Sequence, residues 1–127
     1  MRAIISVNTL MFIGLNNQLP WKCKEDLQHF KKLTLNSILI AGYNTFQSLP
    51  ILKDRVVYCD DKSNELVSVA DWCIGGKKTY EKYCHLFTEL HISHIDDNTI
   101  GDVMFPDLSN LNPECKIFNY YFKTNKT

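Results

Sequence analysis

Two periods of hydrophobic patterning divide the chain. Arg2 to Val7 is a near-continuous apolar run, and Ser37 to Ala41 and Arg55 to Cys59 are two more; each predicts a short buried strand. Val67 to Ile74 predicts one or two further short strands. Glu89 to Ile95 alternates with period two, and Ile117 to Phe122 predicts a final aromatic strand. Between these runs the period lengthens. Leu27, Phe30 and Leu33 recur at helical spacing within Glu25 to Leu33, Asn44 to Ser48 predicts a short helix stopped near Pro50, and Lys77 to Phe87 predicts a helix after the Gly75-Gly76 break. Asn8 to Trp21, with Gly14, Asn16, Asn17 and Pro20, reads as an ordered loop, and loops that long in small proteins are usually functional. Asp60 to Glu65 reads as a polar turn and Asp96 to Asn112 as irregular. Strands alternating with short helices predict one α/β domain over residues 1–127, a mostly parallel central sheet with helices on both faces. Ligands of such sheets bind outside the carboxyl ends of the strands.

Composition narrows the function classes. The chain has 127 residues, 45% hydrophobic and 22% charged, with 14 Lys and Arg balancing 14 Asp and Glu. Zero formal charge argues against a polyanion partner, so no nucleic acid is expected. No apolar run approaches the roughly 18 residues that span a bilayer, and no membrane partner is expected. The first apolar run is broken by Asn8 and Thr9 with no small-residue cleavage pattern after it, which reads as a strand rather than a secretory leader. With that reading, five cysteines and no C-x-x-C predict reduced thiols and a cytoplasmic location. His91 and His94 fall on opposite faces of one strand, and no metal site is expected there or at Cys84-His85.

Two segments carry candidate chemistry. In Ile13 to Lys32, IGLNNQLPWKCKEDLQHFKK, a glycine-containing loop ends in Leu19-Pro20-Trp21 and leads into a helix. Asp26 and Phe30, four residues apart, share one face of it. A carboxylate beside an aromatic wall can hold an amidine-like edge through two parallel hydrogen bonds; equally, Asp26 is a solvated first-turn residue favoured by the helix dipole. The second segment is Ile74-Gly75-Gly76-Lys77-Lys78-Thr79-Tyr80, where glycines at a strand-to-helix turn let a ligand approach the backbone and free N–H groups meet phosphate oxygens. Gly42-Tyr43-Asn44-Thr45 is a second turn of the same kind.

These segments, with LIAGYNTFQSL, LKDR, CIGGKKTYE, LHISHID and GDVMFPD in order across residues 2 to 107, resemble the dihydrofolate reductase family. The resemblance implies reduction of 7,8-dihydrofolate to tetrahydrofolate by hydride transfer from NADPH, with NADH possible. It implies that Asp26 holds the pterin and promotes protonation of N5, that Trp21 orders a water there and that Leu19 sits on a mobile loop. Ser93 stands where the family has a threonine and keeps a hydroxyl able to bridge to Asp26. The resemblance assigns Ile4, Ile5 and Ile74 to the pterin, and Leu27, Phe30, Leu49 and Leu52 to an apolar aminobenzoyl slot. It gives Arg55 to the glutamate carboxylate, a bidentate task suited to arginine. Cofactor contacts are implied at Ile13, Gly14, Gly42, Tyr43, Asn44, Thr45, Gly75, Gly76, Lys77, Lys78, Thr79 and Tyr80, with a cis peptide expected between Gly75 and Gly76.

The chain departs from that family at the adenosine side. Tyr43 stands where many members carry arginine, and Asp60-Asp61 would repel a 2′-phosphate or accept bonds from a free ribose hydroxyl, with Lys62 able to compensate. Asp61 to Cys73 is short, and the C-terminal strands are reduced to Lys116 to Phe122. This predicts a monomer or a small homo-oligomer through an exposed sheet edge. The alternative function is a catalytically weak or inactive folate-binding descendant with a structural or regulatory role, for example in a virion.

Overall fold

The computed structural model describes residues 1–60, 65 and 67–124. The strands are β1 (Arg2–Asn8), β2 (Phe12–Gly14), β3 (Ile38–Ala41), β4 (Val56–Cys59), β5 (Trp72–Cys73), β6 (Glu89–Asp96), β7 (Val103–Met104) and β8 (Lys116–Lys123). The helices are α1 (Lys24–Thr34), α2 (Tyr43–Ser48) and α3 (Lys77–Tyr83), the last followed by a 3-10 turn, Cys84–Leu86. Six strands form one sheet in the order β4-β3-β5-β1-β6-β8, and every neighbouring pair is parallel. This is the mostly parallel central sheet that the alternation of strands and short helices predicts.

Alternation along β1 sorts the core into two faces. Ala3, Ile5 and Val7 join Tyr80, Tyr83, Phe87, Leu90 and Ile92 on the α3 face. Ile4 joins Leu39, Ala41, Trp72 and Ile74 on the other, with Phe30 and Leu33 of α1 packed over them. Helices thus cover both faces, which is why the strands read as apolar runs rather than alternating ones.

The structure departs from the expected elements in three places. The Asn8 to Trp21 loop contains β2, and the irregular Asp96 to Asn112 segment contains β7; these two pair antiparallel, Phe12 opposite Met104 and Gly14 opposite Val103. Strands of two and three residues are too short to show a period. The Val67 to Ile74 run holds one strand among its described residues, within the one or two expected: β5, where Trp72 and Cys73 wedge between β3 and β1. The last helix stops at Tyr83, and the chain turns extended at Phe87, whose side chain fills the α3-face core at 0% exposure. The polar turn expected at Asp60 to Glu65 lies largely outside the described residues, as do Asp61 and Lys62.

Candidate active site

α1 presents the sheet with a surprise of orientation. Leu27, a member of its predicted apolar stripe, is 58% exposed, whereas Asp26 is 4% exposed. The helix begins after Cys23, whose buried side chain packs with Trp21 and Ile95, so the first turn is pinned with Asp26 facing β1 and β6. The solvated alternative for Asp26 does not hold. Oδ2 accepts a hydrogen bond of 2.6 Å from the Ser6 hydroxyl on β1. Ser6 is opposite Ser93 of β6 in the parallel ladder, so two hydroxyls stand side by side on this face. Ser93 is fully buried and its Oγ has no partner among the described residues, and the buried Trp21 Nε1 has none among them either. The expected bridge from Ser93 to Asp26 is thus replaced, in this state, by one from Ser6. The ion pairs among the described residues are Lys82–Asp60 and His91–Glu89, and neither includes Asp26.

The two glycine turns meet at the carboxyl ends of β3 and β5. Gly42 N donates to Gly75 O at 2.6 Å, and the Gly75–Gly76 peptide is cis. A side chain at Gly42 would run into Thr79 Oγ1, and one at Gly76 would come within 3.3 Å of Thr45 Oγ1. Neither α2 nor α3 has a side-chain N-cap, so their first N–H groups are open to an acceptor. Tyr80 connects this region to β1: its hydroxyl donates to Ile4 O at 2.6 Å, and its ring packs beside Gly75. Burial pushes its phenol well above the ordinary value, with the charges of Cys73 and Asp26 adding, so it stays a donor. Burial likewise holds the Cys73 thiol up, at about 12.

Arg55 lies on the far side of Phe30, its guanidinium 5.8 Å from the ring centre. Its Nε donates to Lys53 O at 3.0 Å. With Phe46, Leu49, Leu52 and Val57 it lines a cavity of about 360 Å³. The structure therefore gathers Asp26, Ser93, Ile4, Ile74 and Phe30 on the α1 face, and Leu49, Leu52 and Arg55 around the cavity next to it. Gly42, Thr45, Gly75, Gly76, Thr79 and Tyr80 form the turn cluster.

Other expected site residues lie elsewhere. The Ile5 side chain points into the α3-face core, because it alternates with Ile4, and Ile13 packs against that same core. Gly14 O is engaged by Asp102 N at 2.9 Å in the β2–β7 ribbon. Tyr43 is exposed, as are Asn44, Lys78 and Leu19, while Lys77 is half-buried. Asp60 is engaged by Tyr83 Oη at 2.6 Å and Lys82 Nζ at 3.0 Å. Ser6 was not among the expected residues, although period-two alternation from Ile4 puts it on the Asp26 face.

The family model described as dihydrofolate reductase matches residues 1–119. The chain is 31% identical to a dihydrofolate reductase of Buchnera aphidicola (strain Sg), over 94% of this chain and 84% of the relative. It is also 31% identical to the type 9 dihydrofolate reductase of Escherichia coli, over 78% of this chain and 72% of that one. Its fold is similar to that of Enterococcus faecalis dihydrofolate reductase solved with NADP(H) and RAB-propyl, with a TM-score of 0.72 at 22% identity, covering 85% of this chain and 77% of the other.

Proposed function

The chain belongs to the dihydrofolate reductase family, and on that premise we propose that it reduces 7,8-dihydrofolate to tetrahydrofolate with Asp26 as the group that binds the pterin. The observation that carries the reading is a buried carboxylate with no counter-charge among the described residues. A carboxylate held this way is costly unless it meets a cationic or amidine edge, and a pterin's amino and ring nitrogens offer one in bidentate geometry. Ile4 and Ile74 floor the same face. Ser93 and Trp21, with buried polar atoms that have no protein partner, are suited to a ligand or to the water that passes a proton toward N5. Arg55 at the cavity beside Phe30 would take a terminal carboxylate, and Leu49 and Leu52, which line the same cavity, an apolar ring between.

A reduced nicotinamide cofactor supplies the hydride. The close approach of Gly42 to Gly75 and Gly76 brings the uncapped N-termini of α2 and α3 and the Thr45 and Thr79 hydroxyls to one edge of the sheet, which supports cofactor binding across the two turns. Asp60, half of the acidic pair that disfavours a 2′-phosphate, is already engaged by Lys82 and Tyr83. That leaves NADPH as the better-supported cofactor, with NADH accepted. The protein's share of the chemistry is to hold two flat rings in contact, exclude water and fix one carboxylate.

The test is Asp26→Asn, assayed through cofactor oxidation with dihydrofolate at neutral pH, with either cofactor. The expected result is a native circular-dichroism spectrum with kcat reduced about 100-fold or more, the range for a group that promotes proton transfer. Turnover equal to that of the parent chain would remove Asp26 from the reaction.

A further inference from the structure

Ser6 sits where β1 passes under the first turn of α1, on the same face as Ile4. Its hydroxyl is the hydrogen-bond partner of the Asp26 carboxylate among the described residues, at 2.6 Å. That distance is in the range of a charge-assisted O–H···O bond. The opposing residue in the ladder, Ser93, keeps its hydroxyl uncommitted although it is no less buried. The two serines therefore have different tasks despite adjacent positions. A carboxylate has about four acceptor directions, and one donor on Oδ2 restrains the plane of the group while leaving the second direction of Oδ2 and both of Oδ1 for a ligand.

We propose that Ser6 is a positioning residue for ligand recognition, locking the plane of Asp26 so that the carboxylate meets a planar amidine edge with both oxygens, while Ser93 is left to the ligand. This rests on the reading of Asp26 given above. Bidentate recognition demands coplanarity of the two partners; the packing of Cys23 and Trp21 against Ile95 fixes the backbone of the first turn, but the Asp26 carboxylate still turns about χ1 and χ2, and among the described residues Ser6 is the side chain that bonds it. Glu25 is exposed and no cation pairs with Asp26 among the described residues, so no ion pair there substitutes for the hydroxyl. Ser6 acts through Asp26 and is not itself required to touch substrate.

A double-mutant cycle separates this role from a general packing role. Ser6→Ala, Asp26→Asn and the double variant are titrated with a diaminopyrimidine, which carries the amidine edge without the rest of the substrate. Binding is followed by tryptophan fluorescence, and kcat and KM for dihydrofolate are measured alongside. In the parent background Ser6→Ala is expected to weaken binding about 10-fold, the scale of one hydrogen bond to a charged group. In the Asp26→Asn background the same change is expected to do less than about 2-fold. Equal losses in both backgrounds, or none in the parent, overturn the proposal. The near-isosteric pair Ser6→Thr and Ser6→Val guards against a folding defect: Thr keeps the hydroxyl and binds within about 3-fold of the parent, whereas Val loses about as much as Ala. Val binding as well as Thr also overturns it. If Asp26→Asn binds as tightly as the parent, the assignment of Asp26 falls and this proposal with it; if Asp26→Asn is weak and Ser6→Ala is not, only Ser6 is excluded.

Discussion

His29 packs at a tilt against Tyr120, with ring centroids 4.1 Å apart, and against Phe122 at 5.6 Å, and its Nε2 is buried with no partner among the described residues. Burial lowers its proton affinity below the ordinary value of 6.5; the Asp26 carboxylate opposes the shift, and His91 and Lys32 add to it. The unfolded chain therefore binds the proton more readily than the folded one. Stability from this residue is complete above about pH 6.5 and is lost as the pH falls below it. Thermal melts taken from about pH 7.5 to about pH 5.5 should decline, and His29→Phe should flatten part of that slope by keeping the ring contacts without the titrating nitrogen. Parallel slopes in the two proteins would place the pH dependence elsewhere. At this scale the sequence made Asp26 visible as a carboxylate beside Phe30, but not its burial. Helix periodicity puts Leu27 on the inner stripe, and only the anchoring of Cys23 and Trp21 against Ile95 rotates the first turn the other way. Ser6 was legible in principle, since alternation from Ile4 fixes its face, but a lone serine in an apolar run carries no signal until its partner is known.

The two strand-to-helix turns work as one element. Gly42 has φ −67° and ψ 166°, a conformation open to any residue, so its requirement for glycine is one of space alone. The missing Cβ is where Thr79 Oγ1 lies, and the Gly42 N–H is donated to Gly75 O. Gly42→Ala forces the buried Thr79 side chain out of its rotamer or pushes the start of α2 away from α3, and either disturbs the turn cluster where the cofactor binds in the proposed site. The expected outcome is a stability loss of about 1–3 kcal/mol, typical of overpacking, with KM for NADPH raised more than KM for dihydrofolate. Denaturant melts and steady-state kinetics with each substrate varied in turn check both parts; an equal rise in the two KM values would mean the turns act on the whole site rather than on the cofactor side. Glycine punctuation announced these turns in the sequence, and the strands and helices on either side of them follow from their apolar runs. The β2–β7 ribbon was hidden because its two halves are remote in sequence and too short to show a pattern.

Across the whole molecule, β1 sits inside the sheet with β5 on one side and β6 on the other, so both cores share its backbone. The proposed chemistry stands on the α1 face with Ile4, Ser6 and Asp26, whereas the larger cluster of buried apolar residues lies on the α3 face around Phe87. This division lets stability and ligand geometry be probed apart. Phe87 is fully buried in the α3-face cluster, which contains neither Asp26 nor the residues that line the cavity at Arg55. Phe87→Ala should cost about 3–5 kcal/mol through lost transfer energy and the cavity left behind. That is a large part of the roughly 5–15 kcal/mol that holds a small domain together. The denaturation midpoint should therefore fall steeply while the slope against denaturant stays the same, because the surface exposed on unfolding is nearly unchanged. Activity per folded molecule, measured at low temperature with the folded fraction taken from the melt, should match the parent. A drop in kcat beyond the unfolded fraction would show that the α3-face core sets the geometry across the sheet, and Ala3, Ile5 and Val7, alternating with Ile4 and Ser6 on β1, would be the route by which it does so.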